Sequence, residues 1–511
     1  MNELPGKQAY RHNILAARAL AETIRTTLGP KGMDKMVVAA DGSTLVTNDG
    51  VTILEAMNIP HPTGRMIVEA SRVQDDEVGD GTTTVVVLAG ELLKEAELLL
   101  EKGIHPSIII RGYRLAQTKS LDILSELSQP INKHKQLALE QLALTAMGGK
   151  GVGESKQKLA KLVVEASVSA GSHIRDNLKL IAKAGGTIDD TQLVKGIVLE
   201  KHRLREDMPS EVNDAKIALV NASIEVRQTE VDSKISISSP EQMQEFINME
   251  DSMLKELVNK LLATGANVVL CQKGIDDMAQ HYFESSRVFA LRRVSLNDMK
   301  LLSRATGGRI ITELASIKSR DLGKADRVYE KKVGDELLSF VSGASKAMTM
   351  LVRGGTQHVA EEASRAIEDA VGDIASVMED GRIVGGAGAV EMALAHKLNK
   401  FADSLPGREQ LAVKAFTKAL EIIPITLAEN AGLDQISVLT ALKSAHAKGD
   451  IYAGLDVENG RLQHTMRSGV IEPLKVKIQA INSAVEVATM ILRIDDVIVN
   501  EEAEEENHLL E

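Results

Sequence analysis

The apolar periodicity of this chain changes character twice. From about His12 to Lys119 apolar residues recur at helical spacing, and they do so again from Thr356 onward, whereas between these stretches short apolar runs alternate with helical ones. Helical ends around an α/β middle fit a central part inserted into a helical one better than domains strung in series. With 511 residues the chain is too long for one hydrophobic core, so several domains are expected, three by this pattern.

Local signals place the elements. Ile14, Leu15, Leu20, Ile24 and Leu28 form the stripe of a first helix over about 12–28, which Gly29-Pro30 stops. Residues 36–38 and 44–47 read as short strands around an Asp41-Gly42 turn, and Asp49-Gly50 turns the chain again. Gly79-Asp80-Gly81 opens a long helix that Gly103 and Pro106 close. In the middle, 217–220 and 235–237 read as strands. Ser239, followed by Pro240 and by Gln242 three residues on, then caps a helix. That helix carries Met243, Phe246, Met249, Met253, Leu254, Leu257, Val258 and Leu261 before Gly265. Strand and helix alternate again over 267–271, 288–294, 298–305 and 309–312. A helical stripe of Val359, Ala363, Ile367, Val371, Ile374 and Met378 follows.

Charge and composition exclude several classes of partner. Sixty basic residues face 72 acidic ones, for a net charge of -12, with no Trp and few Phe or Tyr. Nucleic acid needs clustered positive charge and aromatic faces to stack on, so it is not expected as a partner. The most apolar stretch, 82–100, is broken by Glu91, Lys94, Glu95 and Glu97, so no membrane span or membrane partner is expected. The first eleven residues do not read as a secretory signal, and Cys271 is the only cysteine, which together place the chain in the cytoplasm. The tail 501–511, with five glutamates over 501–506, reads as a disordered acidic extension.

Four segments could carry chemistry, and each has a plainer alternative. Residues 79–84 precede a helix, where unpaired N–H groups and the helix dipole favour phosphate and Asp80 offers the hard oxygen that Mg²⁺ prefers; an ordinary helix cap is the plainer account. Residues 28–32 follow a helix instead of leading into one, so they are no Walker loop and read alone as a helix stop. Asp49, in 47–50, is either a turn residue or an acid beside a phosphate chain. Asp369 and Asp373 lie one turn apart on the polar side of a helix. They are either a solvated face or a carboxylate placed to orient a water for phosphoryl transfer.

Taken together and in order, 28–36, 47–54, 79–84, 186–190 and 469–473 resemble segments of the group II chaperonins, and the resemblance covers roughly Gly6 to Val499. Residues 186–203 and 221–237 are most similar to the archaeal, thermosome-like branch. The resemblance implies a multidomain α and α/β fold: a mostly helical equatorial ATPase domain (1–131 and 389–511), a small α/β intermediate domain (132–200 and 353–388), and an α/β apical domain (201–352) with a helical protrusion. It implies an ATP-dependent chaperone that encloses unfolded client proteins in two stacked rings of its own or related subunits, with ATP/ADP and Mg²⁺ as cofactors.

The same resemblance carries roles onto individual residues. Asp49 and Asp369 would be the catalytic carboxylates, and Asp80 the Mg²⁺ ligand. Gly29 and Pro30 would lie along the nucleotide phosphates and Thr82, Thr83 and Thr84 would contact phosphate oxygens, with Thr27, Leu28, Asn48, Gly50 and Gly81 in the same nucleotide site. Lys150 would belong to a loop that senses the γ-phosphate. Gly386 and Gly388 would approach the nucleoside by backbone, Asp456 would lie near the base, Glu472 would reach the ribose, and Ala387 and Gly454 would belong to the same nucleotide site. Ala387 departs from the family, which usually has glycine there; if the backbone needs positive φ, alanine costs roughly 1 kcal/mol. The helix starting at Pro240 would be a built-in lid, with a core helix as the plainer account of its apolar stripe. Two other functions compete: a chaperonin-like scaffold that binds nucleotide without turnover, against which Asp49, Asp80 and Asp369 all speak, and a metabolic kinase, for which no acceptor site is legible.

Overall fold

The structure is a computed structural model that describes residues 3–4, 7–38, 42–131, 136–225, 239–343 and 347–498. The strand expected over 235–237, the residue Asp41 of the first turn and the acidic tail 501–511 lie outside the described residues. The chain divides into two compact units, one made of Met1–Ser167 with Arg365–Glu511 and the other of Val168–Ser364.

The unit made from both chain ends is built on helices. Thr82–Glu101 is apolar along most of its surface, with Val85, Leu88, Leu92 and Leu93 fully or almost fully buried, as befits the middle of a helical layer. Lys7–Arg25, Pro62–Val78, Pro106–Leu127, Glu409–Leu420 and Leu474–Ile491 contribute to the same core. Two glycines allow close helix contacts. A Cβ at Gly90 would lie 2.3 Å from the Ala21 Cβ, and one at Gly112 would lie 2.4 Å from the Ala412 Cβ. Tyr113 packs edge-on against Phe416 at 5.9 Å and donates its hydroxyl to the Leu92 carbonyl at 2.7 Å, so its one polar atom is satisfied inside the core. The first helix starts five residues earlier than its stripe suggests and ends at Arg25, because the chain turns at Thr27 to enter the Gly29-Pro30 loop.

Short strands join the distant chain segments. Arg382–Gly385 pairs antiparallel with Ile471–Pro473 on one side and Gln129–Pro130 on the other. Lys35–Val38 and Thr44–Thr47 form the expected hairpin, and Glu3–Leu4 pairs with Val497–Ile498.

The middle unit has two sheets. In the larger, the strand order is Phe289–Leu291, Val268–Cys271, Glu211–Val220, Gly323–Val333, Glu336–Ser342 and Gly196–Leu199, with Ile310–Ile311 also paired to Glu211–Val220. The first three run parallel and are joined through helices, and Ile310–Ile311 is also parallel to its partner; the remaining three run antiparallel. This mixture explains why 217–220 and 268–271 are continuously apolar, since both faces are covered. In the smaller sheet Met348–Gly354 lies between Leu178–Ala184, parallel to it, and Gln192–Val194, antiparallel. Pro240–Ala263 begins as expected, with the Ser239 hydroxyl accepting from the Gln242 N–H at 3.3 Å and Pro240 in the first turn. Its apolar stripe splits: Leu254, Val258 and Leu261 are buried in the core, while Met243, Ile247, Met249 and Met253 are each about half exposed.

Candidate active site

A cavity of about 550 Å³ opens in the unit built from the chain ends. Of the residues expected at a site, Thr27, Leu28, Gly29, Pro30, Asn48, Asp49, Asp80, Gly81, Thr82, Thr83, Thr84, Lys150, Asp369, Ala387, Gly388, Asp456 and Glu472 all line it. Gly50, Gly386 and Gly454 stand one layer behind. A Cβ at Gly50 would come 2.7 Å from the Thr83 hydroxyl, one at Gly386 would come 2.6 Å from the Glu472 Oε1, and one at Gly454 would come 2.5 Å from the Thr465 methyl. These three glycines therefore let the lining segments approach one another.

The helix Thr82–Glu101 starts at the cavity with Gly81 as its N-cap, at φ 82°, and no side chain caps it. The plainer account of 79–84, an ordinary Asp or Thr cap, does not hold. Asp80 instead turns its Oδ1 back to accept from the Gly81 N–H at 2.7 Å, while buried Gln74 holds the Asp80 carbonyl at 2.8 Å. The first N–H groups of the helix, with the positive end of its dipole, are left for a ligand.

The loop after the first helix is fixed from outside. Asn430 donates to the carbonyls of Leu28 (2.9 Å) and Arg25 (3.1 Å), and Gly29 has φ 84°. Gly149 packs directly on this loop, since a Cβ there would come 2.6 Å from both the Gly29 oxygen and the Pro30 Cα. Asn48 donates to the Gly149 carbonyl at 2.9 Å. So held, the next residue, Lys150, forms an ion pair with Asp369.

The carboxylates differ in what they have left to offer. Asp49 caps the short helix Gly50–Ala56, its Oδ2 accepting from the Thr52 N–H at 2.9 Å and the Thr52 hydroxyl at 2.5 Å. A capping role and a place in the cavity are thus both true of it. Asp456 spends both oxygens on its own turn, accepting from the Glu458 N–H (3.0 Å) and the Asn459 side chain (2.7 Å). Those bonds, the Asn459 side chain first, hold its carboxyl below the usual range.

The helix Gln357–Asp380 carries Asp369 and Asp373, and here the solvated-face account fails. Asp369 is mostly buried beside Lys150, and Asp373 is fully buried. Neither Asp373 oxygen has a hydrogen-bond partner among the described residues. Burial, then the nearby charges of Asp80 and Glu472, push its carboxyl well above the usual range, against the pull of Lys150 and Lys477.

Lys477 and Glu391 escaped sequence reasoning. Lys477, almost fully buried, pairs with Glu391 at 2.8 Å and with Glu472. Burial works to lower its pKa, but the two carboxylates hold it above the ordinary lysine value. Burial likewise pushes Glu472 up, against Lys477. The available signal was Lys477's place among Leu474, Val476, Ala480 and Ile481 on one apolar helix. Lys156 also lines the cavity, its pKa lowered by burial. Ala387 has φ 53°, the positive value at which alanine is strained, and its carbonyl accepts from the Leu455 N–H at 3.0 Å.

Comparison with known proteins places this arrangement. Residues 20–502 match the model of the TCP-1/cpn60 chaperonin family. A thermosome subunit of Methanopyrus kandleri is 53% identical over 97% of this chain and 93% of its own length. The thermosome subunit alpha of Thermoplasma acidophilum is 49% identical over 98% of this chain and 93% of its own. Among solved structures, the open-state monomer of a group II chaperonin from Methanococcoides burtonii is similar with a TM-score of 0.62 and 43% identity, covering 82% of this chain and all of that one.

Proposed function

The chain belongs to the TCP-1/cpn60 chaperonin family, and from that premise we propose that it is an ATP-hydrolysing subunit of a double-ring chaperone that encloses unfolded client proteins. One observation carries the ATPase assignment: Asp49, Asp80 and Asp369, from three distant segments, line one cavity with an uncapped helix N-terminus.

The residues fit Mg²⁺ and a nucleoside triphosphate. Open N–H groups at the start of Thr82–Glu101 match phosphate oxygens, and Asp80 keeps Oδ2 for a hard cation. Bound Mg²⁺ would neutralise charge on the phosphates as the γ-phosphoryl group is transferred. A triphosphate offers Lys150 a second anion, and drawing its ammonium away from Asp369 would free that carboxylate to orient the attacking water and accept its proton. Asp49, tethered through Oδ2, has Oδ1 left to act beside it. On the nucleoside side, Lys477 would hold Glu472 toward the ribose.

Three domains with the bounds expected from the sequence belong to the same proposal, the two separate sheets of the middle unit supporting an intermediate and an apical part. So do client proteins and further chaperonin subunits as partners. A cytoplasmic location is supported by Cys271 being the only cysteine, so that no disulfide can form within the chain.

The deciding experiment is Asp369→Ala. ATP turnover should fall about a hundredfold or more, while nucleotide affinity stays within a few-fold, because a water-orienting carboxylate acts on the transition state. Turnover at the parental rate would remove Asp369 from the mechanism.

A further inference from the structure

Three lysines line the cavity, and two of them are committed: Lys150 to Asp369, and Lys477 to Glu391 and Glu472. The third, Lys156, is partly buried, and its ammonium makes no ion pair or hydrogen bond among the described residues. Its position is unfavourable twice over. Burial lowers its pKa, the sign of an ammonium short of counter-charge, and the charge of Glu458 opposes this without forming an ion pair. Lys156 is also the first residue of the helix Lys156–Ala170, whose first turn holds no acid, and a cation at that end opposes the helix dipole. Neither feature stabilises the fold, and a bound anion would offset both.

The ammonium stands at the loop that begins the cavity. A Cβ at Gly148 would lie 3.8 Å from the Lys156 Nζ and 3.8 Å from the Pro30 Cβ, and Gly148, Pro30 and Lys156 all line the cavity. The next residue, Gly149, packs on the Gly29 oxygen and the Pro30 Cα, so Lys156, Lys150 and the Gly29-Pro30 loop share one stretch of wall. Six carboxylates line the same cavity, a charge that repels a polyphosphate. Lys150 must leave Asp369 before it can answer that charge, whereas Lys156 has no carboxylate to release. We propose that Lys156 is a phosphate-binding residue of the site, a standing cation that donates directly to a phosphate group of the bound nucleoside triphosphate. This assignment rests on the ATPase reading above. It makes nucleotide affinity follow the charge at position 156, while stability without nucleotide follows the helix dipole in the opposite direction.

The test uses the full chain with Mg²⁺ and the β,γ-imido analogue of ATP, which is not hydrolysed, and reads affinity by titration calorimetry and stability by the thermal midpoint without nucleotide. Lys156→Met should weaken binding at least about fivefold and Lys156→Glu at least about twentyfold, as expected for loss and then reversal of a charge-assisted contact. The midpoint should stay at the parent value in the methionine variant and stay there or rise in the glutamate variant, since an acid suits a helix start. If the methionine variant binds the analogue within about twofold of the parent, the ammonium does not reach the phosphates and the proposal is overturned. If affinity and midpoint fall together in both variants, Lys156 holds the fold and not the nucleotide, and the proposal is likewise overturned. Should the glutamate variant fail to fold, the methionine variant decides alone. A parent that binds no analogue would refute the ATPase reading and this assignment with it, whereas unchanged binding in the variants of a parent that does bind refutes this assignment only.

Discussion

Ala387 sits at φ 53° on the cavity wall, where glycine rests without strain and a methyl group does not. Ala387→Gly should therefore raise stability by up to about 1 kcal/mol, read from the thermal midpoint, since relief of the left-handed strain exceeds the extra chain entropy of glycine. A lower midpoint would show that contacts of the methyl group outweigh the strain. The position was legible as a departure from a glycine pattern; the angle that makes it matter was not. Asp373 makes the opposite point. Its spacing from Asp369 suggested a solvated pair, because periodicity tells which side of a helix is polar but not whether that side meets water or a walled cavity. Lys477 was silent for the same reason, since a lone lysine on a helix reads as exposed until its two carboxylate partners, one of them more than 80 residues away, are seen beside it.

The helix Pro240–Ala263 behaves as two elements in one. Its start was plain, because Ser-Pro with Gln242 in the first turn is a local signal that needs no tertiary partner. Its single apolar stripe was misleading, for the C-terminal half packs into a core and the N-terminal half does not. Two outcomes follow. Leu254→Ala or Leu261→Ala should cost about 2–5 kcal/mol in unfolding measurements, as buried truncations do. Joint replacement of Met243, Ile247, Met249 and Met253 by serine should leave the unfolding midpoint and ATP turnover close to the parent but lower the recovery of a denatured client enzyme, since an adaptable apolar face suits a lid or a client contact. Undiminished recovery in that variant would remove this face from the chaperone cycle. Deleting the whole helix is a poorer test, because it takes buried Leu254 and Val258 with the exposed methionines.

At the scale of the whole molecule, the proposed cycle requires the chain to close into rings. Expressed alone with Mg²⁺ and ATP, it should form double rings, checked by native mass and light scattering; a monomer that persists across a wide concentration range would point to a partner subunit the ring cannot do without. The two chain ends build one unit and the middle of the chain another, and from Arg365 onward the chain is back in the unit it left at Ser167. That much was written in the change of periodicity, as were the strand–helix alternation of the middle and the helix stops at glycine and proline, because period, capping and turn chemistry act over a few residues. The order of the mixed sheet and the convergence of distant segments on one cavity were not, since hydrogen bonds between remote strands leave no local trace. The sequence alone determined which segments could fold into helix or strand and which carried phosphate-like and acidic motifs. Only the tertiary structure decided which carboxylates are spent on capping, which are paired with lysine, and that Asp373 is buried with neither among the described residues, because burial and charge pairing are properties of neighbours that the chain brings together only when it folds.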